Sequence, residues 1–233
     1  MQWTIPNTLT VLRLIAAPGV AVMFLYFHRP WADWFALVLF VTAAITDFFD
    51  GYLARLWKQE SKFGAMLDPI ADKAMVVIAL VIIVGLSTAD TLVTNQVRLM
   101  DPWILLPATV ILFREVFVSG LREFLGSDAS TLKVTKIAKY KTTFQMIAIS
   151  VLFAKGIFEH SFLNMVQGMD FEVYDAVMAG TIEDVYGVKT QWLWMKGTWM
   201  VGVVLLSIAA VLTALSGWDY FSKARPYLQG PKS

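Results

Sequence analysis

The sequence contains no cysteine. That excludes disulfides, thiolate metal sites and a cysteine nucleophile. Histidine is nearly absent, and the two present, His28 and His160, fall in expected outer loops. A histidine general base is therefore not expected, and a serine triad would lack its base. No GxxxxGK phosphate loop and no HExxH helix occurs. The first ten residues, MQWTIPNTLT, carry no basic n-region and no cleavage site. Neither a signal peptide nor a transit peptide is expected. Charged residues make up only 16% of the chain, with a net charge of +1. That balance gives no indication of nucleic acid, and none is expected as a partner. What remains for chemistry is carboxylate and metal.

What the sequence has in abundance is apolar surface. Hydrophobic residues reach 58% and the mean hydropathy is +0.62, too apolar for an ordinary soluble globule. Apolar stretches at about 8–27, 33–57, 63–87, 102–124, 137–158 and 193–219 are each long enough to cross a bilayer. The expected fold is all-α, a polytopic membrane protein with six transmembrane helices. At 233 residues it is expected to form a single domain, 1–233, with an extended, acidic outer loop over about 156–192. Nine Trp and seven Tyr suit the two interfacial belts; Trp218 and Tyr220, with Lys223 and Arg225, read as an ordinary anchor after the last span.

Loop charges suggest an orientation. Lys58, Lys62, Lys133, Lys136, Lys139, Lys141, Lys223, Arg225 and Lys232 fall on one side. Arg29, Arg98, Lys155 and Lys189 fall on the other, beside Glu159, Asp170, Glu172, Asp175, Glu183 and Asp184. By the positive-inside rule both termini and the 58–62 turn face the cytoplasm, across the plasma (inner) membrane.

The polar residues that matter most lie at 47–73, DFFDGYLARLWKQESKFGAMLDPIADK. Asp47, Asp50, Gly51 and Ala54 share one face of the second helix; Gly64, Asp68 and Asp72 share one face of the third. Each charge at the bilayer centre costs about 2.5–3.5 kcal/mol, so four uncompensated aspartates would cost roughly 10–14 kcal/mol. Arg55 and Lys73 are too few, and too far round their helices, to offset this alone. Mg²⁺ or Mn²⁺ would, because hard cations prefer carboxylate oxygens. Gly51, Ala54 and Gly64 either permit close helix packing or make room for a ligand beside the carboxylates. Arg55 has the fork geometry for a diphosphate, and Pro69 is expected to bend the third helix.

The pattern Asp47-x2-Asp50-Gly51-x2-Ala54-Arg55-x8-Gly64-x3-Asp68-x3-Asp72 resembles, without a departure, that of the CDP-alcohol phosphatidyltransferases. The resemblance implies a bridging set of Asp47, Asp50, Asp68 and Asp72 for two Mg²⁺ or Mn²⁺ ions, with Asp72 also the general base. An apolar setting would make that carboxylate a stronger base. It further implies that Arg55 contacts the diphosphate of CDP-diacylglycerol while Gly51, Ala54 and Gly64 shape the cytidine pocket. The opening P-N-x-L-T-x-x-R is also familiar in these enzymes, and places Asn7, Thr10 and Arg13 near the nucleotide diphosphate. Without the resemblance, Arg13 could equally snorkel to the interface.

In the fourth span Arg114 and Arg122 share a face, each followed by a glutamate (Glu115, Glu123). Arg122 suits an interfacial charge pair. Arg114, with apolar residues for two turns on either side, suits a cavity or pathway. The lysines that follow, Lys139 and Lys141 among them, either meet anionic lipid or help form a phosphate pocket. REVFVSGLRE and KYKTTFQM resemble segments of one branch of the family, the bacterial phosphatidylglycerophosphate synthases. That branch implies sn-glycerol 3-phosphate as acceptor, its phosphate on Arg114, Arg122, Lys139 and Lys141, and CMP as leaving group. The active site would open to the cytoplasm, and the lipid tails would stay among membrane lipids. Ser207, Ala210 and Ala214 could pack in a homodimer. Other acceptors (inositol phosphate, serine, phosphatidylglycerol), an intramembrane prenyltransferase and a cation transporter are the competing readings. CMP release separates the phosphatidyltransferases from the last two.

Overall fold

The computed structural model describes residues 5–57, 62–87, 100–126 and 136–228, without side chains at 5–6, 47–57, 62 and 136–139. Among the described residues there are seven helices and no strand: α1 (Ile5–Tyr26), α2 (Trp31–Trp57), α3 (Lys62–Leu86), α4 (Pro102–Leu125), α5 (Lys136–Val166), α6 (Phe171–Ala179) and α7 (Val188–Leu228). Five are long and apolar enough to cross a membrane: α1, α3, α4, α5 and α7. Helix α2 has 27 residues, but its described apolar part is Trp31–Thr46.

Local sequence explains several helix ends. Asp101 caps α4 by accepting from the Trp103 amide at 2.9 Å, and Pro102 fills the first turn, where no N–H is needed. Gly180 closes α6 in the left-handed conformation, at φ 82°. The Asp184 carboxylate accepts from the amides of Val188 and Lys189 at 2.8 and 2.9 Å, and so caps α7. Helix α3 is continuous through Pro69.

The stretch 156–192 is more ordered than a long outer loop. Helix α5 continues to Val166 and α7 already starts at Val188, with α6 between them. Phe162, Val177, Val188 and Met195 form one buried cluster that ties these three helices together. Apolar residues at helical spacing persist beyond the length a bilayer requires, so hydropathy alone ended the spans too early. Some of the acidic residues there have local duties, as Asp184 shows.

The chain divides into two compact units, one of Met1–Ile82 with Ile149–Gly202, the other of Ile83–Ala148 with Val203–Ser233. In the first, Phe153 of α5 meets Phe24 of α1 and Phe40 of α2, with centroids 6.3 and 6.0 Å apart. Gly202 of α7 lies so close to α5 that an added Cβ would stand 2.6 Å from Leu152. In the second unit, Val118, Leu121 and Leu125 of α4 pack with Tyr220 and Ala224 of α7.

The first unit also holds a closed set of four charges, three of them buried and Arg29 partly exposed. Arg29 donates to both Asp33 oxygens at 2.9 and 3.0 Å and pairs with Glu159 at 3.1 Å. Lys155 completes the set through Glu159. Burial alone would push the Arg29 guanidinium down, but hydrogen bonds and charge from Asp33 and Glu159 outweigh it and hold its pKa above the ordinary value. This corrects the loop assignment of Lys155 and Glu159. Both are buried within α5, paired with each other and, through Glu159, with Arg29.

Candidate active site

Two helices of the first unit carry the described part of the site. On α3, Asp68 and Asp72 stand one turn apart, as their spacing of four requires. On α1, Thr10 and Arg13 lie one turn apart and face them. The Thr10 hydroxyl donates to Asp68 Oδ1 at 2.6 Å. The Arg13 guanidinium donates to Asp72 Oδ1 at 3.1 Å. Both contacts advance together along the two chains, so α1 and α3 run in the same direction here.

The donors are buried and the acceptors are not. Thr10 is 2% exposed and Arg13 4%, whereas the Asp72 side chain is 45% exposed and Asp68 is also exposed. Each carboxylate is thus steered by a buried neighbour while its side chain remains exposed to solvent. Asn7, one turn before Thr10, is buried, as is Gly64, one turn before Asp68.

Two expectations change. Arg13 does not snorkel; it is buried and is the countercharge of Asp72, which sequence reasoning sought only in Arg55 and Lys73. Nor does Asp72 sit in the apolar setting expected for it, given its exposure and its guanidinium partner. Only the 59-residue separation of Arg13 and Asp72 hid their pairing, since no local pattern reports on it.

The rest of the aspartate pattern, Asp47, Asp50, Gly51, Ala54 and Arg55, falls on the C-terminal part of α2, with side chains outside the described residues. Among the described residues no group of three metal-ligating side chains forms. Asp68 and Asp72 nevertheless fit a hard divalent cation: both are oxygen donors, both are exposed, and both are oriented by hydrogen bonds as metal-binding carboxylates usually are.

The cations of the second unit are also brought together in part. Arg114 pairs with Glu115 at 3.2 Å, and Lys141 donates to the same carboxylate. Arg122 donates to the Tyr220 hydroxyl at 2.9 Å. The Lys139 side chain is outside the described residues. Tyr220 is not an interfacial anchor: it is 3% exposed, whereas Trp218 is exposed as an anchor should be. Periodicity could have shown this, because Tyr220 continues the buried face of Leu206, Ala209, Thr213, Ser216 and Gly217 on α7.

Comparison with known proteins points to one family. A family model described as CDP-alcohol phosphatidyltransferase matches residues 3–182. A protein of Cereibacter sphaeroides is 64% identical over 233 residues, all of both chains. Proteins of Shigella flexneri and Salmonella typhimurium are 34% and 35% identical over 229 residues, 97% of each chain. All three bear the name CDP-diacylglycerol–glycerol-3-phosphate 3-phosphatidyltransferase.

Proposed function

The chain belongs to the CDP-alcohol phosphatidyltransferase family, and from that premise we propose that it transfers the phosphatidyl group of CDP-diacylglycerol to sn-glycerol 3-phosphate. The products are phosphatidylglycerophosphate and CMP. The observation that carries this reading is the oriented pair Asp68 and Asp72, held by Thr10 and Arg13 inside a chain of apolar helices.

Asp47, Asp50, Asp68 and Asp72 would hold Mg²⁺ or Mn²⁺, two ions by the family pattern, which supplies charge neutralisation on the diphosphate. The chain's own residues do the rest. A free hydroxyl of glycerol 3-phosphate attacks the phosphatidyl phosphorus, and its proton passes to the Asp72 carboxylate. The new P–O bond forms as the bond to the CMP phosphate breaks, and CMP leaves with the bonding pair. Arg13 holds Asp72 in place for the transfer, and Thr10 does the same for Asp68. Arg55 contacts the diphosphate, Asn7 contributes to the nucleotide side, and Gly51, Ala54 and Gly64 leave room for cytidine. Arg114, Arg122, Lys139 and Lys141 receive the acceptor's phosphate, for which guanidinium and ammonium donors are well suited.

In this reading residues 1–233 act as one phosphatidyltransferase domain, since the family match extends through parts of both compact units. Six spans, with the C-terminal part of α2 completing the sixth, would place both termini and the site on the cytoplasmic side of the inner membrane. A homodimer is also proposed, although Ala210 is buried within the chain, which leaves Ala214 and its exposed neighbours for such a contact.

The test is CMP release from CDP-diacylglycerol by the detergent-purified protein with Mg²⁺, with and without glycerol 3-phosphate. Release that requires glycerol 3-phosphate is the expected outcome. Release with inositol phosphate or serine alone would keep the chemistry and overturn the acceptor. No release with any alcohol, with Mg²⁺ or Mn²⁺, would overturn the reaction.

A further inference from the structure

In the second unit, Arg114 and Arg122 are two turns apart on α4, yet both reach the same ring on α7. Their guanidinium carbons lie 5.5 and 5.2 Å from the Tyr220 centroid. Arg122 also donates to the Tyr220 hydroxyl. The negative face of the ring attracts both guanidinium groups, and its oxygen also holds Arg122. The ring itself cannot move aside, being packed among Val118, Leu121, Leu125 and Ala224. Gly217, one turn earlier on α7, admits the Arg114 stem: an added Cβ would stand 3.1 Å from Arg114 Cγ. Glu115 pairs with both Arg114 and Lys141.

Three cations therefore converge on one carboxylate and one aromatic ring. The Arg114 Nε is buried and makes no hydrogen bond. A buried donor without an acceptor is costly. An arriving phosphate would supply one.

We propose that Tyr220 is the positioning residue of the acceptor-phosphate site, anchoring both Arg114 and Arg122 on one ring. Glu115 orients Arg114 and Lys141 in the same way. This deepens the reading above, resting on the assignment of these three cations to glycerol 3-phosphate. Tyr220 need not touch the substrate. Without its ring neither guanidinium keeps this anchor, and each phosphate must order both on binding.

The experiment is steady-state kinetics of the full-length protein in mixed micelles, varying each substrate in turn. Tyr220→Leu is expected to raise the KM for glycerol 3-phosphate about tenfold, between the scales of an exposed and a desolvated cation–π contact, with kcat and the KM for CDP-diacylglycerol within about twofold. Tyr220→Phe keeps the ring and loses only the Arg122 hydrogen bond, so the same KM should rise about threefold. Gly217→Ala displaces the Arg114 stem and should move the same constant in the same direction. If Tyr220→Leu does not fold, the other two variants carry the test. An equal rise in both KM values, or a loss of folded yield with both constants unchanged, overturns the proposal. Arg114→Ala separates it from its premise. No change in the glycerol 3-phosphate KM there would overturn the acceptor site itself. A selective rise there, with none for the Tyr220 variants, would overturn the positioning role alone.

Discussion

The first unit holds two sets of charges among apolar helices, and they are built in opposite ways. Arg29, Asp33, Lys155 and Glu159 form two cations and two carboxylates closed on one another, with Asp33 wholly buried. Asp68 and Asp72 are instead held by Thr10 and Arg13 and keep solvent-exposed side chains. A closed, neutral set has nothing left to offer a ligand; its worth lies in which arrangement of helices it permits. An oriented but open carboxylate is costly to the fold and useful to chemistry. Charge within the membrane segments is therefore not by itself the sign of a site. Whether protein alone neutralises it decides that.

The largest test of this contrast is Asp72→Asn. Turnover should fall by about 10²–10⁴, the usual worth of a general base, while equilibrium binding of CDP-diacylglycerol persists. Loss of binding and turnover together would make Asp72 chiefly a metal ligand. On the closed side, Glu159→Ala strands Lys155 and one contact of Arg29, and should cost about 3–5 kcal/mol of stability. Folded yield and the thermal midpoint in detergent report this; both KM values of the surviving enzyme should stay as they were. Normal stability with lost turnover would instead assign the closed set to the site and erase the contrast. Gly156→Ala should destabilise less, by about 1–3 kcal/mol, because its Cβ would fall 2.1 Å from Asp33 Oδ1 and force the carboxylate aside. The smallest effect belongs to Thr10→Val, which frees Asp68 to rotate. The Mg²⁺ concentration for half-maximal activity should rise about tenfold, the lower end for a residue that orients a metal-binding carboxylate. Its midpoint of unfolding should barely move.

Much of this was legible in the chain itself. Apolar runs long enough for a bilayer predict α1, α3, α4, α5 and α7, and the spacing of four between Asp68 and Asp72 predicts their shared face. Periodicity is local, so these features follow from neighbouring residues alone. The ends of α5 and α7 were harder to read, because what sustains them past the membrane's thickness is packing against α6, through Phe162, Val177 and Val188.

The sequence alone determined an all-helical membrane chain, the absence of cysteine and near absence of histidine that turn expectation to carboxylates, and the family pattern from Asp47 to Asp72. Helix period and solvent transfer act over a few residues, and both are written in residue order. Only the tertiary structure decided the partners. Arg13 meets Asp72 across 59 residues, Tyr220 gathers Arg122 across 98, and Lys155 with Glu159 turn inward to Arg29 rather than out to solvent. Each of these joins segments distant in the chain. Low dielectric makes such pairing decisive, but only packing brings the partners together.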